Sequence, residues 1–310
     1  MLGSIFRIID IHLEGRVWII QMKLSSDNDH DLKLIFDHMK NELAGGGETN
    51  LLSFGIVLRK MGKFDAAEKY YLRLLKTLAH DHPDIVNCYH ALGVVAREKG
   101  DYDSSLQWHQ KSLEIKMRTL ESDDPGLAHS HNSIGNVYDT KGDYRRALES
   151  YEKALVIWQR AFGEDHWKVA MCFNNIGGIY QEEKRYSEAL KYHQKALNIR
   201  QKCLPVDHPD LGESHNNIAS VHGCLGQYDF ALKHLNQSLR ISKKSLPPRH
   251  PDIGITLENM GNVYENKGEL QAALSYFKKA ATIYHDALPS NHPNIVKIEE
   301  LIRRVSSKLK

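Results

Sequence analysis

Side chains able to read a peptide backbone recur at a fixed step of 42 residues: His90, Asn132, Asn174, Asn216 and Glu258. One residue on stand Ala91, Ser133, Asn175, Asn217 and Asn259. Four residues beyond the first column come Val94, Asn136, Gly178, Ser220 and Asn262, and three further on Arg97, Asp139, Gln181, Gly223 and Glu265. An asparagine amide offers a donor and an acceptor together. A ladder of them can therefore hold an extended backbone whatever side chains that backbone carries. Adjacent residues of a helix point about 100° apart, so Asn174 and Asn175, or Asn216 and Asn217, cannot serve one ligand equally. The column of Asn175, Asn217 and Asn259 is expected to tie neighbouring helices together, and the column of Asn132, Asn174 and Asn216 to meet the ligand.

Other chemistries find less footing. The chain has 18 histidines, but His82, His166, His208, His250 and His292 lie 42 or 84 residues apart. Ligands of one metal must converge on one point, so this ladder predicts no metal site. His129, His131 and His215 fall close to the asparagine columns, where they could make binding sensitive to pH. Cys88, Cys172, Cys203 and Cys224 show no CxxC spacing and too low a density for a disulfide framework, which points to a reducing cytosol. No GxGxxG, P-loop, GxSxG or HExxH occurs, and Gly45-Gly46-Gly47 reads as a flexible joint. The formal charge of +2 gives no cause to expect nucleic acid, and no apolar run approaches the roughly 18 residues of a membrane span. Neither a cofactor nor a catalytic residue is expected.

The elements that must position the columns follow from the same period. Gly93, Gly135, Gly177, Ala219 and Gly261 mark it. In register with them run His82-Pro83-Asp84, Asp124-Pro125-Gly126, His166-Trp167-Lys168, His208-Pro209-Asp210, His250-Pro251-Asp252 and His292-Pro293-Asn294. Repeats of this length stack as a solenoid, each burying its apolar face only on its neighbours. Each unit reads as two antiparallel helices. Helix A starts near the proline, whose missing N–H would lack a partner there anyway. A turn follows at Gly100, Gly142, Gly226 and Gly268, where glycine is free to take positive φ. Lys184 replaces glycine in one copy and should strain that turn. Helix B then carries Tyr144, Ala147, Leu148, Tyr151, Ala154, Leu155 and Ile157, and 42 residues on Tyr186, Ala189, Leu190, His193, Ala196, Leu197 and Ile199. Small residues at fixed places with large ones between them describe a core.

The marker glycine with an aromatic three residues on, followed by the Tyr-x-x-Ala-Leu and Ala-Leu-x-Ile columns, resembles the tetratricopeptide repeat (TPR). The ordinary repeat of that family has 34 residues. Here about eight more, as in the stretch from Trp158 to His166, lengthen helix B and its exit. With Asn174-Asn175-Ile176-Gly177 and Ala196-Leu197-Asn198-Ile199-Arg200, this is similar to the kinesin light chain type. The resemblance implies an all-α, right-handed superhelical solenoid of antiparallel helix pairs. It also implies a concave groove lined by the A helices, where asparagines clamp peptide backbone. Carried onto this sequence, the groove residues are Asn132, Asn174 and Asn216, with Asn136, Asn262, His90 and Arg97. The column of Arg97, Asp139, Gln181 and Glu265 mixes signs, so the basic cargo groove of kinesin light chains is not implied.

The organisation expected is a β-hairpin over 1–25, a helix and Gly-rich joint over 26–48, six repeats over 49–290 and a capping helix over 291–310. The repeats divide as 49–82, 83–124, 125–166, 167–208, 209–250 and 251–290. The first is short, since Gly55 precedes Gly93 by 38 residues. The capping helix carries Ile295, Ile298, Leu301 and Ile302 on one side and Lys or Arg on the other. The hairpin segment, Gly3-Ser4-Ile5-Phe6-Arg7-Ile8 onward, resembles the last strands of arginine-type mono-ADP-ribosyltransferase domains. The ExE motif of that family would lie before Met1, and no matching set follows. The resemblance therefore implies a transferase fragment without its NAD site, with a sticky edge for self-association or a partner. The leading expectation is a non-enzymatic cytoplasmic scaffold that binds a peptide or partner helix in the groove. The transferase fragment ranks second. A cargo adaptor akin to kinesin light chain ranks third, because no heptad run precedes the repeats.

Overall fold

The computed structural model describes residues 52–60, 62–79, 81–288 and 292–309, and the backbone alone of 6–14 and 17–24. The helix expected over 29–43 and the Gly-rich joint lie outside the described residues. The chain divides into two compact units, Met1–Gly100 and Asp101–Lys310. The division falls inside the expected 83–124 repeat.

In the first unit, β1 (Phe6–Glu14) pairs antiparallel with β2 (Val17–Leu24), with an irregularity between Ile8 and Asp10. Among the described residues three helices follow: α1 (Ser53–Lys60), α2 (Phe64–Thr77) and α3 (Asp84–Glu98). Ala67 and Tyr71 of α2 are fully buried.

Among its described residues the second unit holds ten helices. The A helices are α5 (Pro125–Thr140), α7 (Trp167–Glu182), α9 (Pro209–Cys224) and α11 (Pro251–Asn266). The B helices are α4 (Tyr102–Thr119), α6 (Tyr144–Phe162), α8 (Tyr186–Cys203), α10 (Tyr228–Ser245) and α12 (Leu270–Ala287), and α13 (Pro293–Lys308) closes the array. Each A helix packs on the B helix that follows it and on the B helix before it. The A helices α7, α9 and α11 also touch in sequence, an approach the B helices do not match. The A side is thus the inner side of this unit.

The histidine ladder turns out to start helices. The Nδ1 of His166, His208, His250 and His292 accepts the backbone N–H two residues on, at 3.1–3.3 Å, and His82 does the same in the first unit. Asp124, in the same column, accepts from the N–H of Gly126 at 2.6 Å. Each satisfies one of the donors that a helix start leaves open. His208→Ala should cost about 1 kcal/mol and His208→Asp much less, read from urea midpoints.

At the turns, Gly100, Gly142, Gly226 and Gly268 take φ between 71° and 84°, and Lys184 is held at φ 60° in the same place. The turn keeps its shape and the lysine bears the strain. Lys184→Gly should therefore raise stability by about 1 kcal/mol, seen as a higher denaturation midpoint.

The marker glycines answer a packing need. A Cβ on Gly135 would lie 2.6 Å from the Tyr151 ring, and one on Gly261 2.5 Å from Phe277. Where the marker is Ala219, the facing residue of helix B is Leu235 rather than a ring, so the methyl fits. The small column of helix B, Ala147, Ala189, Ala231 and Ala273, is wholly buried. On α13 the buried residues are Ile295, Ile298, Leu301 and Val305. Its cations turn back onto the last repeat: Lys297 pairs with Glu258, and Arg304 and Lys308 with Glu265, at 2.7–2.9 Å.

Candidate functional site

On the A side of the second unit the two asparagine columns bond to each other across repeats. Asn175 donates to Asn132 Oδ1 at 3.1 Å, and Asn217 donates to Asn174 Oδ1 at 2.8 Å. A residue of the first column is thus tied to the second-column residue of the next repeat. Asn174 Oδ1 also accepts from the Nδ1 of His193, at 3.1 Å, which fixes the proton on that nitrogen. Asn216 instead donates to Thr256 Oγ1 at 2.9 Å, and its Oδ1 is buried without a partner. In the last repeat Glu258 takes the ladder position, accepting from Tyr284 at 2.9 Å. Asn132 and Glu258 are buried, and Asn174 and Asn216 are half-buried.

One turn further along the A helices stand Asn136, Gly178, Ser220 and Asn262, all half-buried. Asn136 spends its Oδ1 on the hydroxyl of Tyr151, at 2.8 Å, and keeps its amide N–H groups. Gly178 has nothing within 4 Å of the place a Cβ would take, so this point of the surface is open space. Ser220 accepts from Gln181 across the repeat at 3.0 Å. Beyond them Asp139 and Glu182 carry carboxylates on successive A helices, with no ion pair among the described residues. Burial first, and then the Glu182 charge, push the Asp139 carboxyl above its ordinary range.

A tetratricopeptide repeat family model matches residues 48–118, 93–155, 126–202 and 207–286. The chain belongs to the tetratricopeptide repeat family. The TPR fold is typical of scaffolds for protein–protein interaction, and proteins of this family are generally non-enzymatic. The TPR array is similar to nearly identical TPR-like repeats of Podosopora anserina named for kinesin light chain, at 21% identity and TM-score 0.55, over 66% of this chain and 98% of that one. It is similar to BtubC (BKLC) from P. vanneervenii at 23% identity and TM-score 0.59, over 79% and 95% of the two chains. It also matches a chain of the APC/C hetero-tetramer Cut9–Hcn1 at 15% identity and TM-score 0.57, covering 88% of this chain and 45% of that one. These likenesses show the fold. The resemblance of the N-terminal segment to a transferase domain is not shown by them. Among the described residues, no helix is long and apolar enough to cross a membrane.

Of the residues singled out from the TPR pattern, Asn132, Asn136, Asn174, Asn216 and Asn262 share the A side of the second unit. His90 and Arg97 lie on α3, in the first unit. His131 points instead toward helix B, lining a shallow hollow with Glu149, Glu152, Lys153 and Val156. His215 likewise meets His234 of α10. Burial holds both imidazoles below their ordinary range. The Asp139–Glu182 pair was passed over in the sequence, because its column looked mixed in sign. Only the adjacency of α5 and α7 brings the two carboxylates within each other's field.

Proposed function

We propose that this protein is a TPR scaffold that takes a segment of a protein partner along the A side of residues 101–310. The observation that carries the reading is the open strip one turn beyond the asparagine tie, formed by Asn136, Gly178, Ser220 and Asn262. There Asn136 keeps its amide N–H groups, Gly178 leaves open space, and Ser220 and Asn262 hold the same place in the next two repeats. A rigid row of modest contacts of this kind suits an extended or helical peptide. Asn132, Asn174 and Asn216 support that strip by locking successive repeats together, and any ligand contact they make is through their remaining N–H groups. The unneutralised carboxylates of Asp139 and Glu182 favour a partner segment bearing lysine or arginine at the matching place. The repeat boundaries 125–166, 167–208, 209–250 and 251–290 belong to this reading, as does a cytosolic location for its free thiols.

Gly178 supplies the clean test, since a side chain there intrudes on the strip without touching the core. Comparative capture from host lysate with mass spectrometry would use the parent, Gly178→Trp and Asn262→Leu. Partners retained by the parent and reduced at least tenfold in both variants, at unchanged helicity and melting, are the expected result. Equal capture by all three would remove the assignment. Asp139→Asn should weaken the same partners further at low salt than at high salt.

A further inference from the structure

The 42-residue register lets one repeat be read against the next, and one contrast stands out. The fourth repeat stacks Phe173, Tyr180 and Tyr192, with ring centroids 5.3–5.9 Å apart, between α7 and α8. Exactly one period later the three rings are His215, His222 and His234. In the fourth repeat Arg185 lies 4.4 Å above Tyr180, and Lys195 lies 5.0 and 5.2 Å above Phe173 and Tyr192. One period later those two cations are Gln227 and Gln237. Thus imidazoles stand where the fourth repeat has three aromatic rings, and neutral amides where it has two cations.

The replacement brings two imidazole nitrogens face to face. His215 Nδ1 and His234 Nδ1 face each other at 2.9 Å. Two imidazole lone pairs at that distance repel unless an electrophile lies between them. A proton is the least such electrophile, and a metal ion with imidazole ligands at about 2.0–2.1 Å is another. His222 stacks on His234 at 5.8 Å, between it and Phe230, and its own Nδ1 is bonded to Gln227 Oε1 at 2.6 Å. That bond fixes one ring nitrogen and leaves the other free, the arrangement common for metal-bound histidine. All three rings are half-buried and open to solvent on one side.

We propose that His215 and His234, with His222 beside them, form a binding site for one nitrogen-preferring divalent transition-metal ion such as Cu2+, Ni2+ or Zn2+. No three such groups already converge on one point among the described residues. The site therefore offers two Nδ1 ligands, with water or a turned His222 completing the shell. On binding, the shared Nδ1 proton moves to Nε2, and both Nδ1 lone pairs go to the metal. Lys233 and Arg240 are the nearby cations acting on the pair. Bound metal would clamp α9 to α10 and stiffen the fifth repeat. This inference is independent of the groove reading, since the site lies where helix A meets helix B.

The fourth repeat supplies variants that the fold accepts: His215→Phe, His222→Tyr and His234→Tyr. Titration calorimetry of the full chain with each metal alone should show one equivalent bound, with a rise in melting temperature. In the triple variant the affinity should fall at least tenfold and the thermal shift vanish, and His131→Phe should change neither. If the triple variant does not fold, His215→Phe alone, which removes one Nδ1, decides the question. No binding by the parent, or binding that the histidine replacements leave unchanged, overturns the proposal.

Discussion

Ala189→Asp should unfold the middle of the array at a cost of roughly 3–5 kcal/mol, the size found when a charge is left buried without a partner. Ala189 has no exposed surface, and neither do Ala147, Ala231 and Ala273 in the same column. It lies on α8, four residues before His193, whose ring presses on Gly177 so closely that a Cβ there would sit 2.9 Å away. With no exposed surface at this position, a carboxylate there would be charged and out of reach of water. In a solenoid each repeat is held only by its neighbours, so the loss should appear as a broken cooperative transition as well as a lower midpoint. Circular dichroism in a urea series on Ala189→Asp and Ala189→Ser reads both. An aspartate variant as helical and as stable as the parent would mean that α8 does not use this face for its core.

The second large effect is a loss of stability in acid centred on His193. This ring is buried, its Nδ1–H donates to Asn174 Oδ1, and its Nε2 is enclosed without a partner. Burial first, and then the charge of Arg200, bring it from the ordinary 6.5 down to about 4. The folded protein thus keeps His193 neutral where the unfolded chain protonates it. Its contribution is intact above the ordinary histidine pKa and is lost progressively as pH falls from about 6.5 toward about 4. Over that window the loss from this one ring is on the order of 3 kcal/mol. Tyr151 and Phe277 hold the corresponding place in other repeats, so His193→Phe should fold and should flatten the pH dependence of the unfolding free energy. An unchanged slope in that variant would locate the acid sensitivity in other histidines. His129 and His234 are the next to examine, since burial lowers both.

The fate of particular residues shows where reading the chain succeeded. Helix starts at Pro125, Pro209, Pro251 and Pro293, positive φ at the turn glycines and the buried alanine column all followed from local rules of backbone geometry and residue size. Such rules act within a few residues and so are written in the sequence. His166 and its counterparts were recognised as part of the repeat, but their capping bonds were not, because Ser, Thr, Asp and Asn are the usual capping residues.

What a side chain faces across a repeat boundary is another matter. Asn174 and Asn217 are 43 residues apart, yet their amides meet at 2.8 Å. The near-100° step along a helix leaves two adjacent columns as rivals for the inner face, and only the spacing between packed helices decides which bonds form. His215 and His234 are 19 residues apart on antiparallel helices, and their contact depends on how α9 and α10 are rotated against each other. The sequence by itself determined the period, the helices and the family, because these rest on local propensity and on a pattern repeated many times. The tertiary structure alone decided which polar groups are spent on holding repeats together and which are left without a partner in the fold. Hydrogen-bond pairing is a matter of distances of about 3 Å between residues that the chain keeps far apart.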